Sequence, residues 1–357
     1  MASNTYNMIG LMSGTSGDGL DVAFVNFNKE NQWLFEIEEA KTYTFPDYLG
    51  KKLINSHLLP ALDLALLDVE FGRWMGEKVR EFCEEFELKP LAVASHGHTV
   101  FHQPKLGLSK QIGNGWALHA ACGLPVINDF RMLDVQLGGQ GAPLVPIGDQ
   151  LLFPQVDFCI NLGGISNISF QKGNNRVAFD MSPFNMLLNP EANKLGLAYD
   201  EGGKESRKGE LNLPLFTQLN ELPFYIQKGA KSLGREDIEE SFLPLIRKSN
   251  LKPRDVLRTL VEHFAFQIGK VILEEKQQEK PLILITGGGA YHEFFEERLS
   301  HYLHQEWEKY AASSELIEFK EALIFAFLGI LRLQREVNSL SSVTGASRDS
   351  SGGTVYP

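Results

Sequence analysis

The residues best suited to chemistry cluster between Met8 and Phe27, where two apolar runs flank the turn Gly14-Thr15-Ser16-Gly17-Asp18-Gly19-Leu20-Asp21. The glycines leave room for backbone N–H groups to approach an anion, and the hydroxyls of Thr15 and Ser16 stand beside them as further donors. Such a turn is a phosphate cradle. Asp18 and Asp21 would repel a bare polyphosphate, so a divalent cation between carboxylate and phosphate reconciles them. A magnesium nucleotide is therefore the expected ligand. The turn is neither a Walker loop nor the dinucleotide fingerprint, both of which open a helix; Val22 to Phe27 is β-branched and aromatic and predicts a second strand. On its own letters the stretch also fits a plain β-hairpin with a long glycine turn.

Other candidates lie far away in the chain. Asp180 ends a predicted strand against a helix opened by Ser182-Pro183, where a carboxylate serves either as a helix cap or as a general base. Arg131, closing Asn128-Asp129-Phe130-Arg131, suits an anion or a sugar, with an ion pair to Asp129 or Asp134 as the alternative. Glu321 near a helix start favours the local dipole. His96, His98 and His102 lack a nearby Cys or carboxylate to complete a metal-ligand set, so hydrogen-bonding roles are expected of them. Two further glycine turns recur: Gly163-Gly164 between two strands, and Gly287-Gly288-Gly289 between a buried strand and a helix, where a flat or anionic group can lie against the backbone.

The elements that position these residues follow from periodicity. Leu34 to Phe45 alternates as a strand, Leu59 to Phe86 has helical spacing, and Leu91 to Ser95 is a strand whose carboxyl end carries His96-Gly97-His98. Trp116 to Cys122 predicts a helix and Pro125 to Asn128 a strand. Leu137 to Pro146 is glycine- and proline-rich and reads as a hinge between halves, followed by a helix from Ile147 to Phe153. Asp157 to Leu162 and Ile165 to Gln171 then repeat the strand, turn, strand shape of the opening, as a duplicated fold would. Asn175 to Asp180 is a strand, Ser182 opens a helix through Leu195, and Tyr199 to Gly209 is a polar loop able to cover a site. Arg254 to Lys276, His292 to Tyr302 and Phe319 to Val337 predict helices, and Pro281 to Ile285 a strand. The polar tail closes on Val355-Tyr356, which suggests an added edge strand. The expected domains are 1–136, possibly completed by the tail 338–357, and 137–337.

At 357 residues the chain exceeds what one core usually supports, and two domains are the prior. A formal charge of −11 without a basic run argues against nucleic acid as a partner. Cys83, Cys122 and Cys159 are three and widely separated, which points to a reduced, cytoplasmic interior. The N-terminus lacks the basic head and apolar stretch of a secretory signal, and the longest apolar run, Ala322 to Leu331, is too short to span a bilayer, so no membrane partner is expected. The letters fix no oligomeric state, and a homodimer is compatible with them.

Two strand-turn-strand units and one strand, triple-glycine, helix unit, spread over two α/β halves, resemble the two-lobed ATPase fold of actin, hexokinase and Hsp70, built from duplicated ribonuclease H-like domains with a central cleft for ATP. Within that frame the chain resembles the anhydro-N-acetylmuramic acid kinase family. The segments that carry the resemblance are MSGTSGDGLD (Met12 to Asp21), ASHGHT with HQP (Ala94 to Pro104), QIGNG (Gln111 to Gly115), NDFR (Asn128 to Arg131), GGQGAPLVP (Gly138 to Pro146), NLGGISN (Asn161 to Asn167), TGGGA (Thr286 to Ala290), EALIFAFL (Glu321 to Leu328) and VTGAS (Val343 to Ser347). They run in order over nearly the whole chain.

The resemblance implies ATP-dependent phosphorylation of 1,6-anhydro-N-acetylmuramic acid with hydrolytic opening of its anhydro ring, giving the 6-phosphate in peptidoglycan recycling. It further implies that Gly14 to Asp21, Gly163, Gly164 and Gly287 to Gly289 bind ATP, that Asp180 is the base, and that His98, Arg131, Asn185 and Glu321 contact the amino sugar. The chain departs from the family where Asp180-Met181-Ser182-Pro183-Phe184-Asn185 replaces the usual Asp-Thr-Gly-Pro-Gly-Asn, and His98 stands where glutamine is usual. A phenyl ring at Phe184 would intrude on the sugar or its lactyl group if it pointed into the site, which favours a kinase for a different amino sugar as a rival. A non-catalytic ATP-binding or regulatory protein of the same fold is the other.

Overall fold

The computed structural model describes residues 5–14, 19–227 and 231–357, and the chain divides into two compact units, Met1–Phe153 with Phe319–Pro357, and Pro154–Glu318. The middle of the first glycine turn, Thr15, Ser16, Gly17 and Asp18, lies outside the described residues, so the phosphate-cradle and metal roles expected there have no structural counterpart below.

In the first unit, β1 (Thr5–Ser13), β2 (Gly19–Lys29) and β3 (Trp33–Thr44) form an antiparallel meander. β4 (Ala92–Ser95) pairs parallel with β1, and β7 (Val126–Asn128) parallel with β4; between them β5 (His98–Gln103) and β6 (Leu108–Ile112) make a separate hairpin. A C-terminal strand, Thr354–Tyr356, adds antiparallel to β7. The pleat of β1 sends alternate side chains to opposite faces. Ile9 and Leu11 join Leu67, Phe71, Met75 and Val79 of the helix Ala61–Glu85 in one buried cluster. Gly10 faces the other way, against the last helix, Ser314–Leu333; a Cβ on it would lie 1.8 Å from the carbonyl oxygen of Ala322. That helix therefore rests directly on the strand backbone, and only glycine permits the approach.

In the second unit, β8 (Phe158–Leu162), β9 (Ser166–Lys172) and β10 (Asn175–Ser182) are again an antiparallel meander. β11 (Leu282–Thr286) pairs parallel with β8, and β12 (Glu308–Lys309) parallel with β11. Phe158, Ile160, Leu162 and Phe170 of this sheet share one core with the helices Phe184–Asn193, Pro253–Glu275 and Glu293–Tyr302. The strand order is β3-β2-β1-β4-β7 in one unit and β10-β9-β8-β11-β12 in the other, with matching senses. This is a ribonuclease H-like arrangement present twice, the mixed α/β architecture of the actin and hexokinase type of ATPase.

Several expectations need correction. The units part after Phe153 and after Glu318, not after 136 and 337. Leu137 to Pro146 is no hinge between them, because Gln140 N–H donates to Thr344 O at 2.8 Å and Gly139 N–H to Asp134 O at 2.9 Å, which tie the interval into the first unit. The following helix, Val145–Leu152, is anchored there too by the Asp149–Lys320 ion pair. β10 runs two residues past Asp180 through a bulge between Asp180 and Ser182. The triple glycine leads into a 3₁₀ turn, Gly288–Tyr291, before its helix begins at Glu293. The loop from Tyr199 is folded down: buried Asp200 accepts the backbone N–H groups of Glu205 and Ser206 at 2.7 and 2.8 Å and caps the short helix Lys204–Lys208.

Candidate active site

In the first unit the carboxyl ends of the parallel strands β1, β4 and β7 lead directly into Gly14, His96 and the Asp129-Phe130-Arg131 turn, where open α/β sheets hold ligands. Asp129 adopts a left-handed backbone (φ 58°), a conformation that aspartate tolerates better than most residues. Arg131 then donates from Nε and Nη2 to Nε2 of His96 at 3.0 and 2.8 Å, and from Nη1 to Gly141 O at 2.7 Å. His96 Nδ1 faces its neighbour's carbonyl, Gly97 O, at 2.9 Å, so the ring proton sits on Nδ1 and Nε2 offers its lone pair to the guanidinium. Burial pushes the His96 pKa well below its ordinary value, and the charge of Arg131 pushes it further the same way. Burial also lowers Arg131 to about 10, opposed by Glu321 and Asp134, which leaves it a cation at neutral pH.

Arg131 thus donates to neutral acceptors, while Asp134, one of the two ion-pair partners weighed for it, acts on it through its charge. Asp134 also acts one step removed. It accepts Gly141 N–H at 2.8 Å, Ser339 Oγ at 2.9 Å and Thr344 Oγ1 at 2.7 Å, and so fixes the carbonyl that Arg131 uses. Glu321, on the last helix, has its pKa raised by burial, drawn down by Arg131 and Lys320, and pushed up by Asp21. Asp21, Arg131 and Glu321 therefore form one electrostatic group. Asp21 accepts Thr42 Oγ1 at 2.6 Å at the start of β2.

The remaining first-unit candidates divide. His98 is 3% exposed, its Nε2 3.1 Å from Leu53 O and its Nδ1 3.4 Å from Ser13 Oγ, and burial lowers its pKa. It is a neutral ring bracing the end of β1 beside the glycine turn. Leu20 is in the core, so only its backbone belongs to that turn. Gly19 is packed on β3, where a Cβ would meet Tyr43 O at 2.9 Å.

In the second unit, pairing sets Asp180 opposite Asn167, Asn167 opposite Asn161, and Asn161 opposite Thr286, one row across four strands. Gly163-Gly164 follow that row on β8 and Gly287-Gly288-Gly289 follow it on β11. Asp180 and both glycine turns therefore share one end of the sheet. The turns touch: Gly287 (φ 80°) is so close to β8 that a Cβ would lie 2.5 Å from Asn161 Oδ1. Asn185 joins them, its N–H donating to Gly163 O at 3.2 Å and its Nδ2 to Leu162 O at 3.3 Å, with Gly288 alongside. This sets Asn185 among the glycine turns. Asp180 accepts Leu233 N–H on Oδ2 at 2.8 Å. Burial raises its pKa from 3.8 to about 6, with the Leu233 N–H opposing, which brings the carboxyl towards neutrality.

Ser182 and Phe184, which stand where the family pattern has its two glycines, are both interior. Phe184 is 0% exposed, with ring centroids 5.2 Å from Phe264 and 5.0 Å from Phe295. Ser182 is also buried, its Oγ 3.0 Å from Ser166 Oγ. The intrusion considered for Phe184 does not occur, because its ring turns under the glycine turn, where Gly289 lacks the Cβ that would lie 2.5 Å from it.

One participant is legible in the sequence only in part and another not at all. His96 was legible as a strand-end residue, but nothing in His96-Gly97-His98 told which ring would meet Arg131. Leu233 contributes a backbone N–H, which no side-chain letter announces. Among the described residues no group of three or more His, Cys, Asp or Glu is arranged to hold a metal ion.

Residues 6–357 match the family model described as anhydro-N-acetylmuramic acid kinase. The chain is similar to the anhydro-N-acetylmuramic acid kinase of Sulfurovum sp., 34% identical over 367 residues with 99% of each chain covered. It is also similar to that of Pasteurella multocida, 34% identical over 374 residues with 100% of this chain and 98% of the other covered. Among solved structures it is similar to the activator of the 2-hydroxyisocaproyl-CoA dehydratase from Clostridium difficile with bound ADPNP, at 13% identity and a TM-score of 0.44, covering 93% of this chain and 98% of that one, a likeness too distant to bear on function.

Proposed function

This chain belongs to the anhydro-N-acetylmuramic acid kinase family, and from that premise we propose that it uses ATP to convert 1,6-anhydro-N-acetylmuramic acid and water to N-acetylmuramic acid 6-phosphate and ADP, a step in recycling peptidoglycan. Asp180 is the base. Its carboxylate takes a proton from the water that attacks the anomeric carbon, the bond from that carbon to O6 breaks, and O6 attacks the γ-phosphorus as ADP leaves. The observation that carries this reading is a buried carboxylate with a pKa near 6 in the same row of the sheet as two glycine turns. A base with a pKa a little under neutral is largely ionised at pH 7 and still basic enough to accept a proton.

The glycine turns take the nucleotide: Gly163, Gly164 and Gly287 to Gly289, with Gly14 to Asp21 at the opening turn; Asn185, expected on the sugar, lies beside the second-unit turns. Arg131 and Glu321 contact the sugar. Arg131 is a braced cation and suits its lactyl carboxylate, whereas Glu321 suits a hydroxyl. Mg2+ belongs to this proposal with Asp18, outside the described residues, as its holder, directly or through water, where it would neutralise phosphate charge. Among the described residues no helix is long and apolar enough to cross a membrane, and a cytoplasmic place of action accords with the need for ATP. With Phe184 in the core, the rival of a different amino sugar loses its main support.

The test is to incubate the purified protein with Mg-ATP and the anhydro sugar and follow ADP and sugar phosphate together. Equal amounts of both are expected. Asp180→Asn keeps the shape and removes the base, so turnover should drop about a hundredfold or more while ATP binding persists. Undiminished turnover in that variant would overturn the assignment of the base.

A further inference from the structure

β10 is the edge strand of its sheet, and the backbone beside Asp180 is covered there by the segment Lys231 to Leu233. The segment grips Asp180 twice. Asp180 N–H donates to Lys231 O at 3.0 Å, and Leu233 N–H donates to Asp180 Oδ2 at 2.8 Å. The first bond fixes the backbone of the carboxylate, and the second fixes the carboxylate itself.

What holds the segment is the Lys231 side chain. Its ammonium lies 4.5 Å from the ring centroid of Phe224, 5.5 Å from Tyr225 and 5.6 Å from Phe179, and it donates to Phe224 O at 3.4 Å. Three aromatic faces around one cation resemble the cages that bind alkylammonium ligands, here filled by the chain's own lysine. The walls are rigid. Tyr225 OH is 2.9 Å from Nε2 of buried His263, whose Nδ1 is 2.8 Å from Asn220 Oδ1, which also accepts Gln267 Nε2 at 2.7 Å. Phe179 is the residue before Asp180, so cage and carboxylate share a backbone. At the other end of the segment, Leu233 is buried in the core of the unit.

We propose that Lys231 is a positioning residue for Asp180: seated among Phe179, Phe224 and Tyr225, it locks the 231–233 segment that orients the carboxylate and supplies the hydrogen bond to it. The proposal rests on Asp180 being the base. Leu233 N–H is the group that favours the ionised form of Asp180 against its burial, so loosening the segment raises the Asp180 pKa. The charged groups that face Lys231 are Lys270 and Glu274 of the long helix, whereas the Asp180 pKa is set by its own burial and by the Leu233 N–H.

The experiment measures kcat and KM for ATP and sugar, from about pH 5 to about pH 9, for the wild type, Lys231→Ala, Lys231→Met and Lys231→Arg. A base works ionised, so a raised pKa moves the acidic limb of the kcat profile upward. In Lys231→Ala and Lys231→Met the limb should rise by about one pH unit, with kcat about fivefold lower near pH 6 and nearly unchanged above pH 8. Lys231→Arg, which keeps a cation for the cage, should restore the wild-type limb, and the KM for ATP should stay put in all of them. A loss by the same factor at every pH, or an unmoved limb in both Ala and Met variants, would overturn the proposal. Asp180→Asn separates the two levels: if it turns over normally the base reading fails, whereas an inactive Asp180→Asn with an unmoved limb in the Lys231 variants defeats this inference alone.

Discussion

One nitrogen, Nε2 of His96, accepts hydrogen bonds from both Nε and Nη2 of Arg131, at 3.0 and 2.8 Å. The arrangement works only while the ring is neutral, since an imidazolium has no lone pair to offer and repels the guanidinium. A histidine whose folded pKa lies below its unfolded value binds fewer protons when folded. Its stabilising effect is therefore intact above the unfolded pKa, near 6.5, and is lost as pH falls below it. A histidine that stays neutral in the fold throughout that range costs about 1.4 kcal/mol per pH unit as pH falls. His98, His263 and His292 share the direction, so the whole chain should lose stability steeply between about pH 6.5 and pH 5. His96→Gln supplies a neutral acceptor that cannot take the proton. Denaturant titrations at several pH values should show a slope shallower by about one proton in that variant, and an identical slope would mean that His96 is charged in the folded state.

Phe184 should behave as a core residue and not as a selector of sugars. Its ring is enclosed by Phe264, Phe295 and the Gly289 backbone. Phe184→Ala should cost about 3–5 kcal/mol through lost burial and the cavity left behind, read as a fall in melting temperature. The preference among amino sugars should be unchanged at a temperature where the variant is folded. A variant that stays stable but accepts a bulkier sugar would show that the ring faces the ligand.

These two cases mark where sequence reading succeeds and where it stops. The turns at Gly163-Gly164 and Gly287 to Gly289, the strand ends bearing His96, Arg131 and Asp180, and the repeated strand, turn, strand shape could be read because periodicity and turn chemistry are local properties. The direction of the Phe184 ring was not local, since it depends on Gly289 more than a hundred residues later. The division between units was missed for a related reason. Leu137 to Pro146 has the composition of a hinge, but Asp134, Ser339 and Thr344 bind it to the C-terminal segment through hydrogen bonds that no spacing reveals. The β5–β6 hairpin is not legible in the sequence because the bulge at Val100, between Thr99 and Phe101, interrupts simple alternation.

Gly10 should prove indispensable for the position of Glu321. A methyl group there would enter the carbonyl of Ala322, the residue after Glu321, and backbone cannot give way as a side-chain tip can. Gly10→Ala should push the helix off β1 and destabilise the fold by about 2–3 kcal/mol. If Glu321 contacts the sugar as proposed, the KM for the sugar should rise while the KM for ATP changes little. Wild-type stability in this variant would mean that the helix does not rest on β1 as closely as described.

Asp149 and Lys320 form an ion pair at 2.7 Å with side chains 4 and 5% exposed, joining the helix Val145–Leu152 to the helix that carries Glu321. Two desolvated charges give little net stability, but removing one strands the other. Lys320→Met should therefore cost about 3–5 kcal/mol, and combining it with Asp149→Leu should recover most of that loss, a strong coupling in a double-mutant cycle. The pair also has an effect beyond stability. Lys320 draws the Glu321 pKa down, so the double variant, though folded, should hold Glu321 protonated to higher pH. If the ionised form of Glu321 accepts a sugar hydroxyl, sugar KM in the double variant should worsen on the acidic side and approach the wild-type value as pH rises. An additive cycle, or a KM whose pH dependence matches the wild type, would show that the two charges act independently of each other and of Glu321.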